Sequence, residues 1–338
     1  MILIVTGSAD KSADAVLAAL DRRGAPWVRF DTDDLPLRAS VVLDPVRRDR
    51  SALVLGNGRQ IAIASLRAAW LWKGAPHDLP ENLAPAERDL VDGACQDSLA
   101  GLFGLLADHV LVVNPPGAFL RAHDKARQLR VAREAGLAVP ETLITNSPDA
   151  ARDFCERLGR VVFKMVNRSL WTRHDPDIGG RVFTRLLGPG DVEGLGSLQG
   201  CPGILQEFVE KRFDIRVTVV GGAVLAAEIH SQADPRTAID FRHQVELERP
   251  LVHRPHALPD PVAGACLEVV RRLGLVYGAI DLVLAPDGRY VFLEVNPSGT
   301  FAWVEELAGL PISERMAELL ARGASGQGSA RPGPDQMS

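Results

Sequence analysis

The chain has 338 residues, a length that suits two or three packed lobes better than one small domain. Hydrophobic residues make up 46% and charged residues 24%, as in ordinary globular proteins, and the net charge of −5 argues against nucleic acid or an anionic membrane as a partner. Four scattered cysteines without a C-x-x-C pair indicate free thiols in a reducing compartment rather than a disulfide framework or a zinc site. Because no stretch approaches about 18 apolar residues and no basic region precedes the apolar N-terminus, we expect a soluble cytoplasmic protein.

The N-terminal third alternates between strand-like and helix-like segments. Met1–Thr6 is an apolar run typical of a buried strand, Ser12–Asp21 has helical periodicity, and Pro26–Phe30 is again strand-like. Further strands are predicted within Val41–Leu55, Ile61–Trp72 and Val110–Val113, and one long helix at Pro85–Ala107. This βαβ order predicts a parallel α/β lobe that ends near Asn114-Pro115-Pro116.

The remainder of the chain begins with a helix after Ala122 that ends at a glycine, Gly136. Ser147 and Pro148 supply the cap and the first-turn proline of the next helix. The elements expected after it are strands from Val161 to Glu294, one helix at Pro261–Leu273 and a last helix over about Ile312–Arg322. The tail, 326–338, is polar and rich in Gly and Pro, so it is expected to be disordered.

The most informative local feature is a hairpin predicted around Asp287-Gly288, a strong two-residue turn signal between two apolar strands. With those two residues as the turn, Asp281 lies directly opposite Glu294. One face of the hairpin is then wholly apolar and consists of Ile280, Leu282, Leu284, Val291, Leu293 and Val295. The other face carries Asp281, Glu294 and Asn296.

The acidic face of this hairpin is a candidate metal site. Two carboxylates with Cβ atoms about 4.5–5.5 Å apart repel each other unless a cation lies between them. Oxygen ligands from Asp, Glu and an Asn amide are those that Mg²⁺ prefers. The pattern therefore predicts a magnesium site at Asp281, Glu294 and Asn296, with a solvated outer face as the alternative.

Two lysines are candidates for phosphate binding. Lys164 lies inside an apolar strand, where its ammonium group must reach solvent or an anion, and an exposed edge strand is the alternative. Lys125 begins a helix and would by itself be an ordinary surface lysine. The basic, glycine-containing segment 167–181 suits phosphate oxygens, although it matches neither a Walker loop nor G-x-G-x-x-G.

A second hairpin is predicted at Gly221-Gly222, and its first strand projects Asp214, Arg216 and Thr218 from one face. Asp214 and Arg216 therefore point into the same space. The simplest alternative is an exposed ion pair between them, worth about 0.2–1 kcal/mol.

The region of about 122–300 resembles the ATP-grasp superfamily. The motifs occur in the expected order: Lys125, Lys164, the glycine-containing loop, QEFVE (206–210), DIRV (214–217), Ile280-Asp281 and LEVNPSG (293–299). The resemblance implies an α/β (α+β) ATP-grasp fold, in which an N-terminal βαβ pre-ATP-grasp lobe precedes a two-lobed ATP-grasp region. The implied domains are 1–115 (pre-ATP-grasp), 116–205 (central, with the lid) and 206–325 (C-terminal).

The resemblance also implies roles for individual residues, with ATP and Mg²⁺ as cofactors. Lys125 and Lys164 match the lysines that hold the nucleotide phosphates. The implied adenine-binding residues are Gln206, Glu207, Phe208 and Val209, with backbone groups of Glu207 and Val209 at the purine edge. Asp214 matches the residue that meets the ribose, and Arg216 one that faces the transferred phosphate or the substrate carboxylate. Asp281, Glu294 and Asn296 match the magnesium ligands.

A narrower resemblance concerns Ala226–Gln244, AAEIHSQADPRTAIDFRHQ. It is similar to the E-I-H-S-Q…D-W-R segment of graspetide synthetases, microviridin-type ligases that macrocyclise ribosomal peptides. This resemblance implies that the partner is a precursor peptide with a leader and an acidic core, and that Arg242 holds the acidic side chain being activated. The structural alternative is that Arg242 merely forms an ion pair with Asp240 or Glu246 on the surface.

Two departures from that family are visible. Phe241 stands where the family has tryptophan. Ala68–Gly74 (AAWLWKG) stands where the family commonly has an arginine-rich strand, which puts the shared role of that strand in doubt.

The implied reaction activates a carboxylate as an acyl phosphate, which an amine or hydroxyl then attacks. Lys164, Arg216 and Arg242 are the expected catalytic residues, and 167–181 is the expected lid that excludes water. The leading hypothesis is a macrocyclase that forms ω-ester or ω-amide bonds. The alternatives are a ligase that adds a free amino acid to a peptide or small carboxylate, and a small-molecule kinase. The oligomeric state, a homodimer included, is left open.

Overall fold

The computed structural model describes residues 1–166 and 183–325, so the predicted lid (167–181) and tail (326–338) lie outside the described residues. The chain forms two compact units. The first comprises residues 1–119, 275–277 and those from 311 onward, and the second comprises 120–274 and 278–310. The finer division into three folded segments remains a prediction.

The first unit contains a parallel sheet, as the βαβ pattern predicts. Its strands, in spatial order, are β2 (Trp27–Asp31), β1 (Ile2–Thr6), β6 (Ala68–Leu71) and β7 (Leu111–Val113). A small antiparallel sheet consists of β3 (Ser40–Val42), β4 (Ala52–Val54) and β5 (Gln60–Ala62). The helices of this unit are α1 (Lys11–Arg22), α2 (Pro85–Ala107) and α9 (Ile312–Ala324).

Helix α2 supplies much of the core of the first unit. Its buried residues recur at helical spacing and include Leu99, Leu102, Phe103 and Leu106, which cluster with apolar residues of β1 such as Leu3. Burying each such side chain contributes about 1.5–3 kcal/mol. The helix occupies the predicted range, because the period of its apolar positions is a local property of the sequence.

Helix α9 packs on α1 in the first unit. An ion pair between Arg22 and Glu314, with Nη2 and Oε1 2.6 Å apart, accompanies this packing. Asn114, at the end of β7, ties residues 276–277 to the same unit, because its Oδ1 accepts the N–H groups of Val276 and Tyr277, each at 2.8 Å. The first unit is therefore assembled from three separate stretches of chain.

The second unit contains two sheets. The first is antiparallel, in the order β10 (Arg185–Leu186), β9 (Val161–Met165), β11 (Gly203–Glu207) and β8 (Thr142–Thr145). The second has the order β14 (His253–Pro255), β13 (Ala223–Ile229), β12 (Phe213–Val220), β15 (Tyr277–Leu284) and β16 (Tyr290–Asn296). The helices are α4 (Lys125–Glu134), α5 (Pro148–Leu158), α6 (Pro189–Glu193), α7 (Asp260–Arg272) and α8 (Ala302–Ala308), and α3 (Pro116–Arg121) precedes them. No helix within 1–166 and 183–325 is long and apolar enough to cross a membrane.

Several short sequence motifs of the second unit form the predicted helix caps and turns. Ser147 caps α5 by accepting the N–H of Ala150, and Gly136 follows α4 with a φ of +94°, which a residue without Cβ adopts readily. Gly221-Gly222 joins β12 and β13, so that Val220 lies opposite Ala223.

The acidic hairpin of β15 and β16 differs from the prediction in its turn and in one face. Leu284 pairs with Tyr290, so the loop is one residue longer than the predicted two-residue turn, and a bulge at Asp281/Leu282 then shifts the register back. Asp281 consequently does lie opposite Glu294.

The predicted apolar face of this hairpin is therefore wrong in part. Val291 lies opposite Val283, on the acidic face, while Phe292 and Tyr290 lie opposite Leu282 and Leu284. The reason is that an inserted residue reverses the face of every side chain between the bulge and the turn.

Candidate active site

A cavity that is open to solvent lies in the second unit, and its empty space, part of that solvent included, is about 670 Å³. The whole predicted adenine segment, 206–209, lines it. The other predicted site residues that line it are Lys164, Asp214, Arg242, Asp281 and Glu294. The structure thus brings together side chains from β9, β11, β12, β15, β16 and the segment 239–242.

The three other predicted site residues contact or neighbour residues that line the cavity. Nζ of Lys125 lies 2.5 Å from Oε2 of Glu294. Nε of Arg216 lies 3.0 Å from Oδ1 of Asp281. Asn296 follows Glu294 by two positions on β16, and both side chains therefore project from the same face.

Lys164 is not on an edge strand, because β9 lies between β10 and β11. Its Nζ donates to Oε1 of Gln206 at 2.6 Å. Burial lowers the pKa of Lys164, and the nearby cation Lys125 adds to that effect while Glu294 opposes it. A cation held at a cost in free energy beside a cavity is well suited to bind an anion there.

In the predicted adenine segment two backbone N–H groups are already used. That of Glu207 donates to the carbonyl of Glu141 and that of Phe208 to the carbonyl of Arg160, each at 2.9 Å. Val162, Val283 and Leu293 add apolar walls that the sequence reasoning did not anticipate. Leu293 reaches the cavity at the bulge, and its assignment to the opposite, apolar face was wrong.

Asp214 and Arg216 do not form the exposed ion pair that was the alternative reading of their spacing, since both are buried. Asp214 pairs with Lys211, whose Nζ lies 2.9 Å from Oδ1. Oδ2 of Asp214 is buried without a hydrogen-bond partner in the described part of the chain. Burial raises the pKa of Asp214, and Lys211 opposes that shift. Asp214 and Lys211 both line the cavity, and Lys211 is a residue that the sequence reasoning missed.

The two facing carboxylates have opposite electrostatic surroundings. Burial raises the pKa of Asp281, with the guanidinium of Arg216 opposing that shift. The ammonium of Lys125 lowers the pKa of Glu294. Oδ1 of Asp281 is buried and has no hydrogen-bond partner among residues 1–166 and 183–325. A buried carboxylate oxygen with free lone pairs, opposite an ionised carboxylate, fits a hard cation such as Mg²⁺.

Asn296 completes the predicted magnesium ligands with an amide oxygen. Its Oδ1 accepts the N–H of Ser298 at 3.0 Å, which uses one of two lone pairs. Where the structure describes the chain, no group of three His, Cys, Asp or Glu side chains is placed to hold a metal. A magnesium site here would therefore rest on two carboxylates and this amide, completed by phosphate oxygens and water.

Arg242 does form the ion pair with Asp240 that was its structural alternative, with Nε 2.9 Å from Oδ1. Asp240 is buried at the cavity, whereas the side chain of Arg242 is 46% exposed, so the pair joins a buried carboxylate to a solvent-accessible guanidinium. Burial opposes ionisation of Asp240, but Arg242 and the backbone N–H of Thr184 hold its pKa below its ordinary value. Oδ2 of Asp240 accepts that N–H at 2.9 Å. Asp240, also missed from the sequence, therefore links Arg242 to the segment that leads into β10.

The geometry of this site agrees with similarities to known proteins. Residues 1–116 match the family described as MvdD pre-ATP grasp domain. A probable alpha-L-glutamate ligase of Serratia proteamaculans (strain 568) is 30% identical over 223 residues, which are 64% of this chain and 69% of that protein. The ribosomal protein bS6–L-glutamate ligase of Salmonella newport (strain SL254) is 30% identical over 228 residues, 66% of this chain and 71% of that protein.

Three solved structures resemble nearly the whole chain. The macrocyclase MdnC bound with precursor peptide MdnA from Microcystis aeruginosa MRC has a TM-score of 0.82 and 30% identity, and the match covers 95% of this chain and 99% of that one. The Chryseobacterium gregarium RiPP-associated ATP-grasp ligase in complex with ADP and a leader and core peptide has a TM-score of 0.79 and 28% identity, with coverages of 94% and 96%. The ATP-grasp ligase PsnB, complexed with a phosphomimetic variant of its minimal precursor, Mg and ADP, has a TM-score of 0.74 and 25% identity, with coverages of 96% and 98%.

The match to an ATP-grasp family covers more than half of the chain and includes every predicted site residue. Since residues 122–320 match the RimK-like ATP-grasp domain, the chain belongs to the RimK-like ATP-grasp family and is an ADP-forming ATP-grasp ligase of the carboxylate–amine type.

Proposed function

We propose that this ligase activates Asp or Glu side chains of a ribosomal precursor peptide and closes ω-ester or ω-amide macrocycles. The observation that carries the proposal is the extent of the likeness to the macrocyclase MdnC, which includes the first unit and covers 95% of this chain. The glutamate ligases match about two thirds of it. The structural likeness to a peptide-bound macrocyclase thus extends over more of this chain than the sequence likeness to the glutamate ligases.

The nucleotide would occupy the cavity of the second unit. We assign the purine to the segment 206–209 and the apolar side chains of Val162, Val283 and Leu293, because these form the apolar part of the wall. The carboxylate of Asp214, which lines the cavity, is suited to accept a ribose hydroxyl.

The phosphates would lie at the cationic end of the cavity. Lys125 and Lys164 are assigned to them, and Arg216 to the phosphoryl that is transferred, because Arg216 adjoins Asp281. Asp281, Glu294 and Asn296 would hold magnesium, which neutralises phosphate charge when bound. PsnB, complexed with Mg and ADP, supports this assignment by analogy.

The proposed reaction has two steps. An oxygen of the substrate carboxylate attacks the γ-phosphorus of ATP, the bond to the bridging oxygen breaks, and ADP leaves. A hydroxyl or amine of the same peptide then attacks the acyl carbon, loses its proton and expels inorganic phosphate. Each ring thus removes one water from the peptide. Arg242 would orient the acidic side chain, since a guanidinium binds a carboxylate through two parallel N–H groups.

A second candidate is a ligase that adds free glutamate to a peptide. It is favoured by the curated relatives, which are glutamate ligases at 30% identity. Both reactions pass through an acyl phosphate and share the same nucleotide site, so that site alone does not discriminate between them.

Mass spectrometry of the products discriminates between the candidates. The purified chain is incubated with ATP, Mg²⁺, free glutamate and a peptide encoded beside its gene that has a leader and an acidic core. We expect the peptide to lose the mass of one water for each ring closed. Addition of glutamyl residues would establish the second candidate instead, and addition of phosphate would identify a kinase.

Lys164→Met is expected to weaken the binding of ATP by about tenfold to a hundredfold, because a hydrogen bond to a charged group contributes about 1.5–3 kcal/mol. Peptide affinity should change little. Calorimetric titration of each ligand measures both effects. Arg152→Met, which removes an exposed cation paired with Asp149 in α5, is the matched control. Unchanged ATP affinity in Lys164→Met would remove Lys164 from the phosphate site.

A further inference from the structure

Arg216 lies over two aromatic rings that come from different segments. Its Cζ is 5.8 Å from the ring centre of Phe241, in the segment 241–246, and 5.5 Å from that of Trp303, in α8. The two ring centres are 6.0 Å apart, so the guanidinium and the rings form a nearly equilateral triangle. We call these two rings the aromatic platform.

The aromatic platform is itself held in place by core packing. Phe241 is buried in a cluster with Ile229 and Leu251, against which Trp303 packs. The ring of His253 meets Trp303 edge-on, with centres 5.5 Å apart and planes at 78°. The rings therefore have little freedom to move away from Arg216.

The polar contacts of Arg216 do not fix its orientation in the same way. Its Nε lies 3.0 Å from Oδ1 of Asp281, but the pair lacks hydrogen-bond geometry, and both atoms are buried without a hydrogen-bond partner within 1–166 and 183–325. Gly299 limits the other side of the guanidinium, since a Cβ at this position would be 3.1 Å from Nη1. Shape and ring contact therefore orient the guanidinium, and its Nε donates no hydrogen bond within the part of the chain that the structure describes.

We infer that Trp303 is a positioning residue that, through the aromatic platform, holds the guanidinium of Arg216 toward the terminal phosphate of the nucleotide. The inference rests on the role proposed for Arg216. A guanidinium over an aromatic face is attracted to it and loses rotational freedom, so it meets the phosphate without reorganising. Trp303 does not line the cavity itself, whereas Phe241 does, so Trp303 acts through Arg216 and through Phe241.

The test uses nucleotide binding, which does not depend on knowing the acceptor. Calorimetry measures the affinity of the full chain for Mg²⁺ with AMP-PNP and for Mg²⁺ with ADP. Trp303→Leu, which lacks a π face, is expected to lose about fivefold to thirtyfold in AMP-PNP affinity, and its ADP affinity should change by no more than about twofold. Trp303→Phe, which keeps a ring, should stay within about threefold of the wild type for both.

Control variants separate the inference from the role proposed for Arg216. Trp27→Leu removes a half-buried tryptophan of the first unit and should leave both affinities unchanged. Arg216→Ala should show the same selective loss as Trp303→Leu or a larger one. If only Arg216→Ala shows it, the positioning role of Trp303 is overturned while the role of Arg216 stands. If neither variant shows it, the role of Arg216 fails as well.

Further results test the inference if Trp303→Leu does not fold or if its loss of affinity is not selective. Should Trp303→Leu unfold, Phe241→Leu, which removes the other ring, is expected to show the same selectivity for AMP-PNP over ADP. Equal losses for both nucleotides in the folded variant would indicate a general packing role and would overturn the inference. A loss of AMP-PNP affinity in Trp303→Phe as large as that in Trp303→Leu would also overturn the inference.

Discussion

Asp281→Asn is expected to lower the rate of ADP formation with peptide substrate on the order of 10²–10³-fold, while the chain stays folded. Asp281 lies opposite Glu294, and its buried Oδ1 is 3.0 Å from Nε of Arg216 without accepting a hydrogen bond in the described part of the chain. Asparagine keeps the shape but removes the negative charge that would hold magnesium. The substitution also leaves the buried guanidinium of Arg216 without its anion, and an uncompensated buried charge can cost about 3–5 kcal/mol.

The hairpin that carries Asp281 provides its own control. Asp287 lies in the turn of the same hairpin and pairs with Arg289 through Oδ2 at 2.6 Å, exposed to solvent. Asp287→Asn makes the same chemical change and should leave the rate unchanged. A folded Asp281→Asn variant with a rate near that of the wild type would contradict the magnesium assignment. Calorimetry verifies that the Asp281→Asn variant is folded at the assay temperature, because the loss of the ion pair with Arg216 lowers its thermal stability whatever the role of Asp281 in catalysis.

Arg242→Ala is expected to abolish ring closure, with a loss of at least about a hundredfold, while ATP binding persists. Removing a guanidinium that orients the acidic side chain leaves the nucleotide in place without a positioned attacking carboxylate. The product mass reports ring closure, and calorimetry reports ATP binding. Wild type and variant are compared on the same precursor peptide.

Because Arg242 is paired with Asp240, a second variant is needed to separate a structural role of Arg242 from a role in substrate binding. Arg242→Ala leaves Asp240 buried without its cation, and an uncompensated buried charge can cost about 3–5 kcal/mol. The double variant Asp240→Asn with Arg242→Ala removes that charge while keeping an acceptor oxygen for the N–H of Thr184. If the double variant regains ring closure, Arg242 has a structural role. If it stays inactive but folded, Arg242 acts on the substrate.

Helices and turns that depend on interactions between nearby residues could be predicted from the sequence alone. Helix α2 has the predicted bounds, and the turn at Gly221-Gly222 joins two strands as expected. Caps, turn glycines and apolar periodicity act over a few residues, so no distant contact is needed to determine them. The ATP-grasp fold was predicted in the same way, from motifs whose order along the chain is a sequence property.

The opposition of Asp281 and Glu294 was predicted correctly with an incorrect turn. The loop is longer by one residue, and the bulge at Asp281/Leu282 compensates for it. That Asp281 faces Glu294 could be predicted from the sequence. The strand register between this pair and the turn depends on how β16 packs. That packing moved Leu293 to the cavity.

Only the tertiary structure decided which distant side chains meet. Asp240 accepts the N–H of Thr184, 56 positions before it, and Trp303 lies beside Arg216, 87 positions after it in the sequence. Helix α9 returns to the first unit for the same kind of reason, because its apolar face is buried on α1. Apolar burial is non-directional, so sequence periodicity predicts that a face will be covered, whereas the folded chain determines by what.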